Sequence, residues 1–282
     1  MGKPRGGQKK HWAESARVEA WYAEIKRRCG WSDYALNDQF AWREGDRGNH
    51  TIDTRPKTFE WIRKTSRKPR GLDSRWRNMD ELVIAVDSHP YFTGTRALYE
   101  ADIWNFLQVT TITPSAVQDH IDHLLTTNKL VRVPAEKIST NSDALINMFG
   151  RPSLFDNCLQ LSLKRMDLFS RIALVWLLHV QTEPPHNASF RAIVESIADE
   201  LLDRFFARHL PDKHLNYYSN AIGILLQTRL DLSERNIGGY GFIETIGTRP
   251  IIPEELLGKL TKEHLAPSVY FLAEYPDETN EV

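Results

Sequence analysis

A chain of 282 residues is long enough to bury one large or two ordinary cores, and its 41% apolar content with eight tryptophans excludes a mostly disordered protein. The formal net charge of −1 conceals an asymmetry: residues 1 to 78 carry 19 Lys and Arg against 10 Asp and Glu, and the remaining 204 carry 17 against 27. That split predicts a polyanion-facing N-terminal quarter beside an acidic remainder. Two cysteines, Cys29 and Cys158, without a CxxC partner give neither a disulfide framework nor a zinc knuckle, so a reducing cytoplasm is the expected compartment.

The N-terminal MGKPRGGQKKHW is basic and is followed by no apolar run of the secretory kind. Residues 1–14 are expected to form a flexible basic arm. From Ser15 to Arg28, Val18, Trp21, Tyr22, Ile25 and Cys29 recur at three- and four-residue steps, which predicts an amphipathic helix ended by Gly30. Ser32 is placed to cap a second helix, DYALNDQFAW, with Tyr34, Leu36, Phe40 and Ala41 on its inner face. The polar stretch from Arg43 to Thr54 reads as a loop.

Thr54 is expected to cap a third helix with Pro56 in its first turn. At about 100° per residue, Phe59, Ile62 and Ser66 fall on one side and Lys57, Trp61, Lys64 and Lys68 on the other. Seven of the seventeen residues from Arg55 to Gly71 are Lys or Arg. Pro69, Arg70 and Gly71 end this helix, and Met79 to Val86 supplies another.

The run GWSDYAL (Gly30 to Leu36) resembles the opening of the second helix in lambda-repressor-like, Cro-type helix-turn-helix domains, and TFEWIRKTSRKPRGL (Thr58 to Leu72) is similar to that family's third helix with its basic exit. The resemblance spans residues 17–86. In place of the family's tight turn between those helices, this chain has Arg43 to Asp53. The resemblance implies duplex DNA as partner: Arg55, Lys57, Thr58 and Trp61 would approach base edges, while Arg63, Lys64, Arg67, Lys68 and Arg70 would hold phosphates. A solvated helix face would also produce such a charge run. The local surplus, the basic arm and the position after two compact helices favour the polyanion.

Farther on, Arg96 to Phe106 has helical spacing in Leu98, Ile103 and Trp104, with Leu107 just beyond it. In the next helix, Thr113 and Pro114 form a cap and first turn ahead of Val117, Ile121, Leu124 and Leu125, and NKLVRV reads as a strand. This stretch, residues 97–138, resembles the recognition helix and first wing strand of winged-helix domains. Beyond it lie three long helical segments, Leu159 to Thr182, Ala188 to Leu210 and Lys213 to Leu232. The middle one has an apolar face of Phe190, Ile193, Val194, Ile197, Leu201, Phe205 and Phe206. Within the first, Ile172 to Val180 is too short for a membrane span, which needs about 20 apolar residues, and reads as a buried helix. NIGGYGFIETIGTRPII predicts a glycine turn between two strands, Pro253 the start of a last helix, and DETNEV a frayed tail.

The expected fold is therefore mostly α. A helix-turn-helix-like domain occupies 15–88, a winged-helix-like segment 89–150, and a helical oligomerisation, partner or effector domain 151–282, with a few short strands.

Other chemical candidates have ordinary readings beside them. DHIDH (Asp119 to His123) lets two imidazoles and a carboxylate share one side of a helix, but a structural metal site wants four ligands and no HExxH accompanies it. Glu195, Asp199, Glu200 and Asp203 alternate with an apolar face, as a solvated surface does. GGYG (Gly238 to Gly241) has no P-loop lysine, Ser115 and Ser219 lack GxSxG, and Cys29 lies on an inner face. No catalytic, cofactor or metal residue is assigned. The function expected is that of a bacterial or mobile-element transcriptional regulator, acting as a homodimer or with a protein partner. The alternatives are a nucleic-acid-binding subunit of a larger nucleoprotein complex holding RNA or single-stranded DNA, and a metal-dependent nuclease.

Overall fold

The computed structural model describes residues 11–44, 55–69, 76–132, 152–181, 188–231 and 251–254. The chain is mostly α-helical with short strands, as expected, and it divides into two compact units. The first comprises residues 1–108 and 203–221; the second comprises 109–202 and 222–282. Residues 89–108 thus belong with the N-terminal unit, and so does a later stretch of chain.

In the first unit, α1 runs Trp12–Arg28, starting three residues earlier than its apolar spacing predicts because the His11 side chain accepts the N–H of Ala13. Residues 12–14 are therefore helical rather than part of an arm; residues 1–10 lie outside those described. The helix ends at Cys29, whose backbone is extended at φ −137°, and Gly30 does not take up the left-handed conformation expected of it. Ser32 caps α2 (Asp33–Leu36) through the N–H of Ala35, as its position suggests.

The α2 helix continues directly into a π-helical turn, Asn37–Ala41. A π turn adds a residue to the helical repeat and rotates the residues beyond it about the helix axis. Leu36, Phe40 and Ala41 point into the core, but Tyr34 does not: it is 54% exposed. Tyr34 and Leu36 are two residues apart within α2 and so point about 160° away from each other, which leaves Tyr34 outside once Leu36 is buried.

The third helix, α3, is Thr58–Thr65. Pro56 is buried ahead of it instead of lying in its first turn, and the expected cap, Thr54, lies outside the described residues. Ser66 closes α3 in the left-handed region at φ 49°, so the helix stops before Pro69 and Ser66 caps it instead of lining an inner face. Next comes α4, Met79–Asp87, opened by a reciprocal capping box between Asn78 and Glu81. The segment expected as one helix near residue 100 is two, α5 (Thr95–Glu100) and α6 (Ile103–Phe106), because the backbone at Ala101 turns out to ψ 134°.

Val18, Trp21, Ile25, Leu36, Phe40, Phe59, Ile62, Met79, Leu82, Val83, Val86, Phe92 and Tyr99 form one core. Burial of each large apolar side chain contributes about 1.5–3 kcal/mol, so this core fixes α3 against α1 and α2. Its polar edge is Glu24, 3% exposed and gripped by Arg27 at 2.6 Å and Arg28 at 2.7 Å. Burial alone would raise the Glu24 carboxyl, but those two guanidiniums bring it down to about 2.

In the second unit, β1 (Thr111–Ile112) precedes α7 (Pro114–Thr127). The predicted cap holds: Thr113 accepts from the Ala116 N–H, Pro114 sits in the first turn, and Val117, Ile121, Leu124 and Leu125 are buried. The strand expected next is β2 (Leu130–Arg132). Its partner among the described residues is β4 (Ile251–Pro253), antiparallel with Leu130 opposite Pro253. Pro253 therefore ends a strand; Glu254 directly after it is helical, and the rest of the helix and tail expected there lies outside the described residues, as do residues 232–250 with the GGYG turn.

The first long segment is two helices, α8 (Pro152–Lys164) and α9 (Leu168–Gln181). Asp167 breaks it by accepting the N–H groups of Phe169 and Ser170 at 2.8 and 3.1 Å. Every residue of α9 from Ile172 to Gln181 is buried, as the apolar run predicts. Helix α10 covers Ala188–His209, and the division between the units falls within it. Helix α11 (His214–Gln227) stops five residues short of the expected Leu232, and β3 (Arg229–Leu230) pairs parallel with β1. No helix among the described residues is long and apolar enough to cross a membrane.

Candidate nucleic-acid interface

The basic segment is held to the core through its N-terminal end. Asn37, 1% exposed in the π turn, accepts the N–H of Phe59 with its side-chain oxygen at 3.0 Å. Its amide nitrogen donates to the Asp33 carbonyl at 2.7 Å and to the Glu60 carboxylate. One buried amide therefore caps α3 and ties it to α2, which offsets the missing side-chain cap at Lys57.

A second tie runs through Asp33. Tyr22 donates its hydroxyl to one carboxylate oxygen at 2.6 Å, and Arg63 donates Nε to the other at 2.7 Å. Burial would raise the Asp33 carboxyl, but the hydrogen bonds from Tyr22 and Arg63, with Lys26 nearby, hold it below its ordinary value. Burial and then the same Asp33 bond push the Tyr22 phenol up. Three helices thus converge on one carboxylate.

The sequence-predicted residues fall into distinct groups in this geometry. Lys57, Lys64 and Arg67 are exposed and have no ion pair among the described residues. Arg63 is exposed but shares its charge with Asp33. Arg55 is half-buried, pairs with Glu60 at 2.9 Å and stacks its guanidinium 4.7 Å from the centre of the Tyr34 ring. Lys68 reaches Glu14 at 3.7 Å. Trp61 packs half-buried against the core, Thr58 is only 7% exposed, and Arg70 lies outside the described residues. The stripe is real but narrower than its seven basic residues suggest, because Asp33, Glu60 and Glu14 each claim one cation. Glu60 lies within the segment, but Asp33 and Glu14 come from elsewhere in the sequence, and helical projection of one segment cannot reveal them.

Elsewhere, His120 and His123 are exposed on α7, and the His120 Nδ1 bonds the Ala116 carbonyl at 2.8 Å. Among the described residues no group of three or more His, Cys, Asp or Glu is placed to hold a metal ion. Asp199 and Glu200 face solvent, Glu195 pairs with Arg191 at 2.8 Å, and Asp203 pairs with His214 at 2.8 Å.

Two buried histidines escaped sequence reasoning. His179, wholly buried, accepts from Arg191 at 3.2 Å through Nε2. His209, 6% exposed, lies 3.8 Å from Glu24. Burial first of all pulls each down to about 4. Both are therefore neutral core groups near pH 7. No family model matches the chain, and no curated protein and no solved structure matches it either.

Proposed function

We propose that this chain binds nucleic acid by its phosphates on the exposed side of α3, and that it acts on duplex DNA as a cytoplasmic regulator of bacterial or mobile-element origin. The observation that carries the reading is the pairing of a locked inner face, Phe59 and Ile62 at 0% and 1% exposure, with three exposed cations, Lys57, Lys64 and Arg67, that have no ion pair among the described residues. Rigid backing lowers the entropy lost when those side chains engage phosphates. A helix-turn-helix arrangement of α2 and α3 and dimerisation through the helical remainder belong to the same proposal.

The test is an electrophoretic mobility shift with the chain's own upstream duplex against random duplex of equal length. Preference for the upstream duplex supports a regulator, and absence of any shift of either duplex at low salt removes duplex DNA as the target.

A second reading, a subunit that holds nucleic acid without sequence preference inside a larger complex, is favoured by the burial of Thr58 and the half-burial of Trp61. Both were expected at base edges, and of that group Lys57 alone is exposed. Equal shifts of upstream and random duplex would select this reading.

A further inference from the structure

We infer that Tyr34 is a stacking position for one unpaired base, so that the surface beside α3 takes single-stranded nucleic acid in preference to blunt duplex. The inference rests on the phosphate-binding part of the proposed reading and puts a single strand in place of its duplex target.

Isolated exposed aromatic residues are common on protein surfaces and by themselves mean little. Tyr34 differs in how it is supported. The Arg55 guanidinium lies over the ring, 4.7 Å from its centre, and is itself fixed by Glu60 at 2.9 Å. With that contact made, 54% of the residue is still open to solvent, so the ring keeps a large free apolar surface. The residue immediately before it, Asp33, holds Arg63 at 2.7 Å, and Lys57 stands exposed two residues after Arg55. Tyr34 and Arg55 thus lie on the segments that also carry Arg63, whose charge Asp33 shares, and the exposed Lys57, the cation suited to a phosphate of the strand.

Charge complementarity selects a polyanion, and ring geometry selects the strand type. Inside a duplex both faces of a base are covered by its neighbours, so away from the two terminal pairs a tyrosine ring reaches a base face only where the base is unstacked. A guanidinium on one side of an aromatic ring and a base on the other make a continuous stack that adds cation–π attraction to base stacking. Every base has such a face, so the preference is for strand type rather than for sequence.

The experiment compares, at one salt concentration, fluorescence anisotropy of the full chain with an oligothymidylate of about 15 nucleotides and with a blunt duplex of the same length. The single strand is expected to bind more tightly. Tyr34→Ala is expected to weaken single-strand binding roughly 5- to 150-fold, the cost of losing one stacked base, while leaving duplex binding unchanged, and Tyr34→Phe to retain wild-type affinity. A 2-aminopurine at the central position of the strand should be quenched by the wild type and by Tyr34→Phe but not by Tyr34→Ala.

Equal affinity for both strands, or a Tyr34→Ala loss shared by both, overturns the inference while the nucleic-acid reading stands. Failure of both probes to bind at low salt overturns that reading instead. Because Tyr34 is exposed, a thermal melt should show Tyr34→Ala folded like the wild type; a chain unfolded by it would contradict the geometry on which the inference depends.

Discussion

The side-chain oxygen of Asn37 accepts the backbone N–H of Phe59 at 3.0 Å across 22 positions of sequence, so the basic helix is capped by the π turn of the helix before it. Asn37→Ala leaves that buried N–H and the Glu60 carboxylate short of a partner, at a cost of about 1–3 kcal/mol. Urea unfolding should show the midpoint lowered with an unchanged slope. Asn37→Asp should be worse near pH 7, because it brings a second carboxylate against Glu60; an Asp variant as stable as the wild type would mean that the amide does not hold α3.

This pairing marks where sequence reading stops. Long helices with a broad buried face, such as α7 and α10, are legible because a 3.6-residue repeat of apolar positions survives over several turns. The four residues of α2 are too few for such a repeat, so nothing in the spacing tells that Leu36 rather than the opposite-facing Tyr34 is buried. Asp167 splits α8 from α9 without any Gly or Pro; an Asp followed three residues later by Ser170, whose hydroxyl donates to it at 2.6 Å, was the available signal. For the candidate interface, the surplus of charge is legible and its neutralisation is not. Arg63 and Asp33 are 30 residues apart, and only the packing of α3 on α2 brings them together.

The three exposed cations set the expected electrostatics of binding. If Lys57, Lys64 and Arg67 each hold one phosphate, log K should fall against log salt with a slope of roughly −2.7 on duplex DNA, and neutralising any one should flatten it by about 0.9. Replacing both Lys57 and Lys64 by Glu should abolish duplex binding. Removing Lys68, already paired with Glu14, should change the slope less. A salt titration of mobility shifts measures all of these, and an unchanged slope in the double Glu variant would exclude α3 as the contact.

Asp33 controls the same surface from beneath. Asp33→Asn keeps the shape but removes the charge that pairs with Arg63, leaving that guanidinium a full charge for phosphate. Tighter nucleic-acid binding at low salt, together with a lower melting temperature from the lost ties to Tyr22 and Arg63, is the expected result. The two effects have opposite signs, so a variant that loses both affinity and stability would show instead that Arg63 must be oriented by Asp33 to act.

Buried histidine makes the folded chain acid-sensitive in a definite window. His209 is surrounded by Phe205, Glu24 and the charges of Arg27, Arg28 and Arg208, and burial, with the three arginines, outweighs Glu24 to hold its folded-state value at about 4. In the unfolded chain it titrates near 6.5. Above that value the group is neutral in both states and contributes nothing to pH dependence. As pH falls from 6.5 towards 4, the unfolded state takes up a proton that the folded state refuses, and stability drops. Below about 4 both states are protonated and the loss levels off, having reached on the order of 3 kcal/mol for a shift of this size. His179 titrates over the same range and adds to the loss. Glu24 adds to the loss only at the acid end of this window, because its folded carboxyl stays ionised down to about 2 while in the unfolded chain it takes up a proton near 4.5. Denaturant midpoints measured from pH 7 to pH 4 should therefore decline in the wild type. The decline should be shallower in His209→Gln, which cannot take up the proton; an equally steep decline in that variant would assign the acid sensitivity to other groups.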